Sequence, residues 1–420
     1  MARLTRFDDG LLLRGRSETT YPLDHSRWRG DDGSPLSYDD RPGITCDDVD
    51  ATERSIWRYR RALPVTFERE ISLGEGMTPL VTNEVDGEML KFKLEYCNPT
   101  GSFKDRGLST MITALADAGQ REALEDSSGN GGSSFAAYAA AAVIGSRVLV
   151  PEGTSPGKIL QTRAHGAEIQ IVPGTRDDCS AEALRQAEER AYASHNWHPM
   201  FIQGIKTQAY EIWDDLGPTA PDTIVLVAGS GSQVIGHDLA WHELERAGAI
   251  DPVPRLVMAQ PASASPLVDA FAKGADDVGP VVPAATMAEG TAIGNPVRGR
   301  EVLAALRRCN GLAARRVRTP SPQPRGRWLA AASTPSRRAP THTRDIAHCA
   351  TQASSTAPAP PFSCSPVRVT SPPPGWWRCS ADERRRSADA EGALLPCRPR
   401  RRPALPVGST PPRRGRHPAH

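Results

Sequence analysis

A single lysine stands between a turn and a helix start in the segment NPTGSFKDRG, residues 98–107. The Asn-Pro-Thr-Gly stretch is typical of a tight loop, and the carboxylate of Asp105 favours a helix that begins beside it. Burial and nearby positive helix ends lower the pKa of an amine, which makes it a nucleophile near neutral pH. Lys104 is therefore a candidate catalytic residue, although most lysines in turns are solvated surface charges.

Two glycine- and serine-rich loops each precede a predicted helix. They are DSSGNGGSS (126–134) and AGSGSQVIG (228–236). Loops of this kind present backbone N–H groups at a positive helix end and bind phosphate or carboxylate. The second loop has Val234 at the third glycine position of the dinucleotide-binding motif, and it lacks the Gly-Lys-Ser/Thr ending of a nucleotide P-loop. Each loop alone fits ordinary turns better than an anion site. Together with Lys104, however, the loops suit a lysine aldimine, a cofactor phosphate and a substrate carboxylate.

Strands and helices alternate through the middle of the chain, which predicts an α/β fold of two doubly wound lobes with parallel sheets and a cleft between them. We expect an irregular N-terminal arm over 1–65 and a catalytic region over 66–306, with a small lobe at about 108–195. The expected strands are 88–95, 147–150, 168–172, 223–228 and 255–259. The expected helices are 109–119, 133–144, one from Pro156, 181–194, 207–216 and 234–247.

The near-neutral net charge of +2 averages two unlike parts. Residues 308–420 contain 21 arginines, no lysine, five acidic residues and half of the 38 prolines, for a net charge of +16. The other 307 residues carry −14. The final part lacks periodicity and aliphatic content, which predicts a disordered tail over 307–420. We interpret it as an out-of-frame translation that begins near 306–309; the alternative is a genuine basic tail that binds nucleic acid or another polyanion.

Several classes of protein are disfavoured. The first residues have no apolar core typical of a secretory signal, and the longest apolar run, Phe135 to Gly145, is far shorter than the ~20 residues of a membrane helix. The cysteines of the first 307 residues form no C-x-x-C pair, and His237 and His242 lie five residues apart. We therefore expect a cytoplasmic protein with no metal and no membrane partner.

The motifs together resemble one known family. KLEYCNPTGSFKDRG (93–107), with GEGMTPL (74–80), SSGNGGSS (127–134) and AEGTAIGNPVRG (288–299), resembles threonine synthase, a family of the tryptophan-synthase-β-like group of pyridoxal-phosphate enzymes (fold type II). The resemblance extends from about residue 70 to about residue 306. It implies that pyridoxal 5′-phosphate is the cofactor and that a small amino acid is the substrate. A homodimer is a further expectation.

The same resemblance implies roles for individual residues. Lys104 would form the Schiff base, and Asn130 would hydrogen-bond the 3′-oxygen of the cofactor. Lys93 and Glu95 match the strand before the lysine motif. The family's Ser or Thr partner of the cofactor ring nitrogen lies beyond residue 310, where the tail has no matching motif. The substrate carboxylate would lie on Ser128, Gly129, Asn130 and Gly131, and the cofactor phosphate on Gly229, Ser230, Gly231, Ser232 and Gln233.

The expected reaction is the conversion of O-phosphohomoserine and water to threonine and phosphate. Two alternatives stay open from the sequence. One keeps the cofactor and changes the reaction, to a threonine or serine ammonia-lyase or another β-replacement enzyme. The other is a non-catalytic product, either a disrupted relative or a basic-tailed polyanion binder. If the tail is as written, we expect an impaired enzyme.

Overall fold

A computed structural model describes residues 11–85, 88–284, 286 and 288–317, and two short strands in the C-terminal tail. Its α-helices are α1 (Lys104–Asp117), α2 (Asn130–Ala141), α3 (Pro156–Ala164), α4 (Arg176–Gln186), α5 (Pro199–Ile205), α6 (Thr207–Asp215), α7 (Ser232–Arg246), α8 (Pro266–Ala272) and α9 (Gly299–Arg308). Its strands are β1 (Leu12–Arg14), β2 (Thr20–Pro22), β3 (Ser37–Tyr38), β4 (Leu80–Val85), β5 (Glu88–Lys93), β6 (Glu122–Glu125), β7 (Gly145–Pro151), β8 (Glu168–Val172), β9 (Ala191–Tyr192), β10 (Thr223–Val227), β11 (Arg255–Pro261), β12 (Leu312–Val317), β13 (Leu329–Ala332) and β14 (Ser365–Arg368).

The smaller lobe is built on a four-stranded sheet in the order β8-β7-β6-β9. All three strand pairs are parallel, with Val148 opposite both Glu125 and Ile169. Helices α2, α3 and α4 connect these strands and pack on the sheet. Since the strands of a parallel sheet all end at the same edge, β6 delivers the loop that begins at Asp126 to that edge.

The larger lobe contains a seven-stranded sheet in the order β13-β12-β11-β10-β14-β5-β4. Strands β10, β11 and β12 are parallel to one another, whereas the remaining pairs are antiparallel. The predicted α/β fold with parallel sheets is confirmed, and the larger sheet carries antiparallel strands in addition. The loop from β10 into α7 leaves the carboxyl end of the parallel part, where α/β folds place their ligands.

Helix boundaries differ from those that the apolar spacing predicted. Helix α1 begins at Lys104 rather than at residue 109, because its first turn buries the polar side chains Asp105 and Arg106 instead of apolar ones. Helix α4 runs over Arg176–Gln186, earlier than the expected 181–194, because Thr175 and Asp178 form a capping box at its start.

The N-terminal arm is less irregular than expected. Strands β1, β2 and β3 form a small antiparallel sheet, and Leu13 and Leu36 from this region are fully buried. Arg298 donates to the carbonyl oxygen of Leu36 at 2.8 Å and to that of Trp197 at 2.5 Å. The arm is thus anchored to the region around α9.

At its other end, the described chain continues the α/β pattern through α9 and β12, and β12 pairs with β11 in parallel register. Residues 307–317 form the end of α9 and strand β12, so the predicted disorder is wrong for them. The rest of the predicted disordered, out-of-frame tail lies outside the described residues, apart from β13 and β14. Among the described residues, no helix combines the length and apolar content needed to cross a membrane.

Candidate active site

The turn that carries Lys104 is tied to the start of α2 by the neighbouring carboxylate. Asp105 is fully buried and accepts hydrogen bonds from the backbone N of Thr100 at 2.7 Å and from its hydroxyl at 2.5 Å. The hydroxyl of Ser134 in α2 donates to Asp105 at 2.6 Å. Because these bonds close the Asn-Pro-Thr-Gly turn, the first residue of α1 has a fixed direction, and that residue is Lys104.

The amine of Lys104 lies among aromatic rings. Its Nζ is 4.5 Å from the ring centre of Phe103 and 5.5 Å from that of Phe201. Burial lowers the pKa of Lys104 to about 8, although the carboxyl group of Glu125 opposes this shift. A substantial fraction of the amine is therefore unprotonated near neutral pH, as a nucleophilic lysine requires.

This pKa predicts the pH dependence of labelling. We expect competitive acetylation of Lys104 in the cofactor-free protein to rise with pH with a midpoint near 8, because only the neutral amine reacts. Peptide mapping by mass spectrometry follows the rate, with the exposed Lys273 as the comparison on the same molecule. A midpoint above pH 10, as for an ordinary lysine, would contradict the burial argument.

The first glycine loop approaches its neighbours too closely for side chains. A Cβ on Gly132 would lie 2.0 Å from the carbonyl oxygen of Ser127, and one on Gly131 would lie 2.8 Å from Nδ1 of His195. Helix α2 starts here without a side-chain cap from any described residue, so its first N–H groups are available to an anion. Ser128 and Asn130 are half-buried and Gly129 is exposed at this helix start.

In the second glycine loop, the turn at Gly231 likewise leaves no room for a side chain. Gly231 has φ +89°, and a Cβ there would lie 2.4 Å from a methyl group of Val302. It immediately precedes α7, which likewise begins without a side-chain cap in the described structure. Ser232 and Gln233 are buried in the first turn. The side chain of Gln233 donates to Oε1 of Gln208 in α6 at 3.0 Å.

A narrow cleft of about 10 Å³, room for a single water molecule, lies beside this second loop. Ser230 and Ser232 line it together with His195, Asn196 and Arg298. His195 also contacts the first loop at Gly131, and its ring centre is 5.7 Å from that of Phe201, the ring that neighbours Lys104. Contacts through His195 and Phe201 thus connect the predicted lysine and both predicted loops.

The sequence analysis missed three of the groups around the cleft: Glu125, His195 and Arg298. Glu125 and Arg298 are buried ionisable residues, and His195 is separated from Lys104 by 91 positions of chain. Only one signal was available, the acidic pair Glu125-Asp126 at the start of the glycine loop. The residues of the cleft are far apart in the chain and meet only in the folded protein, so local sequence patterns do not reveal them.

Lys93 and Glu95 belong to a buried ion network instead of the cleft. Arg106 is fully buried and pairs with Glu95 at 2.8 Å and with Glu211 at 2.8 Å. Lys93 pairs with Glu211 at 2.6 Å. Burial alone would raise the pKa of Glu211, but Arg106 and Lys93 hold it far below its usual value. The network joins β5, α1 and α6 beneath the lysine turn.

A separate cluster of Asp238, His242 and Cys309 brings three potential metal ligands within 4.8 Å of one another. Asp238 pairs there with Arg308 and with Nδ1 of His242 at 3.2 Å. The ion pairs already neutralise the buried carboxylate, so its burial is explained without a metal. The expectation that the protein binds no metal stays a prediction.

The geometry of the second loop predicts the effect of a small substitution. We expect Gly231→Ala to weaken binding of pyridoxal 5′-phosphate at least about tenfold, because the left-handed conformation costs roughly 1–2 kcal/mol for alanine and the new methyl group meets Val302. Fluorescence titration measures the affinity. The control is Gly217→Ala, since Gly217 has φ +74° but nothing within 4 Å of its Cβ. Equal affinities of both variants would remove the loop from the site.

The fold is an α/β fold, and the candidate site combines a lysine of lowered pKa with two helix N-termini that have no side-chain cap in the described structure. These residues fit a carbonyl cofactor with an anionic arm, because the lysine supplies the amine and the tight loop at Gly231 supplies N–H donors. The family model described as "Pyridoxal-phosphate dependent enzyme" matches residues 71–319. The chain belongs to that family, whose cofactor is pyridoxal phosphate.

Curated relatives include two threonine synthases. That of Methanocaldococcus jannaschii is 36% identical over 269 residues, which are 62% of this chain and 66% of the relative. That of Mycobacterium bovis is 40% identical over 218 residues, which are 50% of this chain and 60% of the relative. The chain thus spans just under two thirds of the length of these relatives. Among solved structures, maize serine racemase matches with a TM-score of 0.50 and 23% identity, over 57% of this chain and 72% of that one, which shows the shared fold.

Proposed function

We propose that this chain is a threonine synthase, which converts O-phosphohomoserine and water to threonine and phosphate. The observation that carries the proposal is the position of Lys104, which is partly withdrawn from solvent and lies against Phe201, the neighbour of His195 between the two glycine loops. Two curated relatives named threonine synthase, 36% and 40% identical to this chain, support the choice of reaction.

Each part of the site has a task in this proposal. Pyridoxal 5′-phosphate, when bound, supplies the electron sink for carbanion chemistry at the substrate. Lys104 would hold the cofactor through its amine and would move protons to and from the α carbon of the substrate. Asn130 orients the cofactor through its 3′-oxygen. The start of α2, residues 128–131, holds the substrate carboxylate, and residues 229–233 at the start of α7 hold the cofactor phosphate.

A direct comparison of substrates tests the proposal. We expect purified protein with cofactor to release phosphate from O-phosphohomoserine and to form threonine in equal amounts. Phosphate detection and chromatography of the amino acids measure the two products. If the protein instead forms 2-oxo acids from threonine or serine and leaves O-phosphohomoserine intact, the ammonia-lyase alternative replaces the proposal. Protein that holds the cofactor and turns over none of these substrates would favour the non-catalytic alternative.

We further propose that residues 66–306 form the catalytic region and that 307–420 is translated out of frame. The family match over 71–319 supports the catalytic region, and it continues beyond 306 through β12. A version with the alternative reading frame restored beyond 306 would supply the ring-nitrogen partner and should show higher soluble yield and turnover. Equal yield and turnover of both versions would overturn this proposal. The homodimer and the cytoplasmic location stay proposals, which sedimentation and cell fractionation test.

A further inference from the structure

A glutamate and a histidine form a hydrogen-bonded pair at the edge of the cleft. Glu125, the last residue of β6, is fully buried. Its Oε1 accepts from the backbone N of Asp126 at 3.1 Å, and its Oε2 accepts from the backbone N of His195 at 3.0 Å. Oε1 also lies 3.2 Å from Nδ1 of His195. Since both oxygens already act as acceptors, we assign the proton of the imidazole to Nδ1, which leaves the lone pair on Nε2.

The position of His195 places this lone pair at the site. The side chain is 10% exposed and lines the same cleft as Ser230 and Ser232. The ring also lies against Gly131 in the first loop and against Phe201, which neighbours Lys104. Nε2 has no hydrogen-bond partner among the described residues. A group in this place can hydrogen-bond a water molecule in the cleft, which has room for one.

The surroundings keep the imidazole neutral. Burial lowers the pKa of His195 well below 6.5, and the positive charges of Lys104 and Arg176 act in the same direction, whereas the carboxylate of Asp126 opposes them. Burial also raises the pKa of Glu125. These groups face His195 from α1, α4 and β6. A neutral ring can accept a proton at Nε2, and the hydrogen bond from Nδ1 to Glu125 holds the ring in this orientation.

We propose that His195 is a catalytic base for the water that adds to the substrate, and that Glu125 is the residue that positions it. This inference rests on the proposed function. The Nε2 atom takes a proton from water while the electron pair of that O–H bond forms the new C–O bond at the β carbon. The electron pair of the carbon–carbon double bond moves to the α carbon, which takes a proton from the ammonium group of Lys104. His195 then returns its proton to solvent.

The test separates water addition from phosphate release, which precedes it. In the full chain with cofactor, we expect His195→Gln to release phosphate from O-phosphohomoserine within about threefold of the wild-type rate, while threonine formation falls about 10²-fold. The missing threonine should be replaced by 2-oxobutyrate and ammonia, because an unsaturated amino acid that is not hydrated at the β carbon is hydrolysed at its nitrogen. Glu125→Gln should shift the product ratio in the same direction by a smaller factor.

A matched control carries the same change outside the cleft. His242 lies on α7 and pairs with Asp238, so His242→Gln should keep the wild-type ratio of threonine to 2-oxobutyrate. The absorbance of the bound cofactor confirms that each variant has folded. If His195→Gln does not bind the cofactor, the ratio of threonine to 2-oxobutyrate formed by Glu125→Gln tests the inference instead.

The outcomes of the two proposals are distinguishable. If the wild-type chain forms threonine and His195→Gln keeps its product ratio, only the inference about His195 fails. If His195→Gln loses phosphate release and threonine formation equally, His195 acts before water addition and the assigned step is wrong. If the wild-type chain releases no phosphate, or releases phosphate with 2-oxobutyrate as the sole organic product, the proposed function fails and the inference falls with it.

Discussion

Lys104→Ala is expected to abolish covalent attachment of pyridoxal 5′-phosphate and to lower turnover by at least about 10³-fold. The variant loses both the amine that bonds the cofactor and the group that moves the proton at the α carbon. The rest of the cleft stays intact, because Asp105 and not Lys104 closes the turn through Thr100 and Ser134. Absorbance of the cofactor and the rate of phosphate release from O-phosphohomoserine measure the two losses.

The control for this prediction is Lys273→Ala, which removes an exposed lysine just after α8. It should leave both the cofactor absorbance and the rate unchanged. Retention of more than a tenth of the wild-type rate by Lys104→Ala would show that another group performs the chemistry.

Arg106→Leu is expected to lower the free energy of unfolding of the cofactor-free protein by about 3–5 kcal/mol, because it leaves two buried carboxylates without their shared partner. Arg106 pairs with both Glu95 and Glu211, and all three side chains are essentially inaccessible to solvent. Urea denaturation followed by tryptophan fluorescence measures the loss, since Trp57 and Trp213 are buried in the core.

The matched control removes an arginine from an exposed ion pair. Arg185 pairs with Glu182 on the surface of α4, with 67% of its side chain exposed, so Arg185→Leu should change the unfolding transition little. If Arg106→Leu unfolds at the same urea concentration as the wild type, the network does not hold the lysine turn in place.

The sequence predicted those features of the fold that depend on local patterns. Strand β8 was expected at 168–172 and lies at Glu168–Val172, because short alternating runs bounded by turns specify strands. The start of α1 was misplaced by five residues because its first turn is polar and buried. The spacing of apolar residues cannot predict the start of a helix whose first turn buries charged side chains instead of apolar ones.

The candidate site likewise contains residues that the sequence predicted and residues that it did not. Lys104 and the two glycine loops were found in the sequence because a turn lysine and glycine-rich helix starts are visible in short segments. Glu125 and His195 were not found, because their hydrogen bonds connect residues 70 positions apart. The small sheet formed by β1, β2 and β3 was missed for a related reason, since strands of two or three residues leave no periodic pattern.

The most direct test of the account is borohydride reduction of the purified full chain in the presence of pyridoxal 5′-phosphate, followed by peptide mapping with mass spectrometry. The account predicts one stoichiometric pyridoxyl group on the peptide that contains Lys104, and none on that peptide when reduction precedes addition of the cofactor. A stoichiometric adduct on another lysine, or folded protein without any adduct, would contradict it.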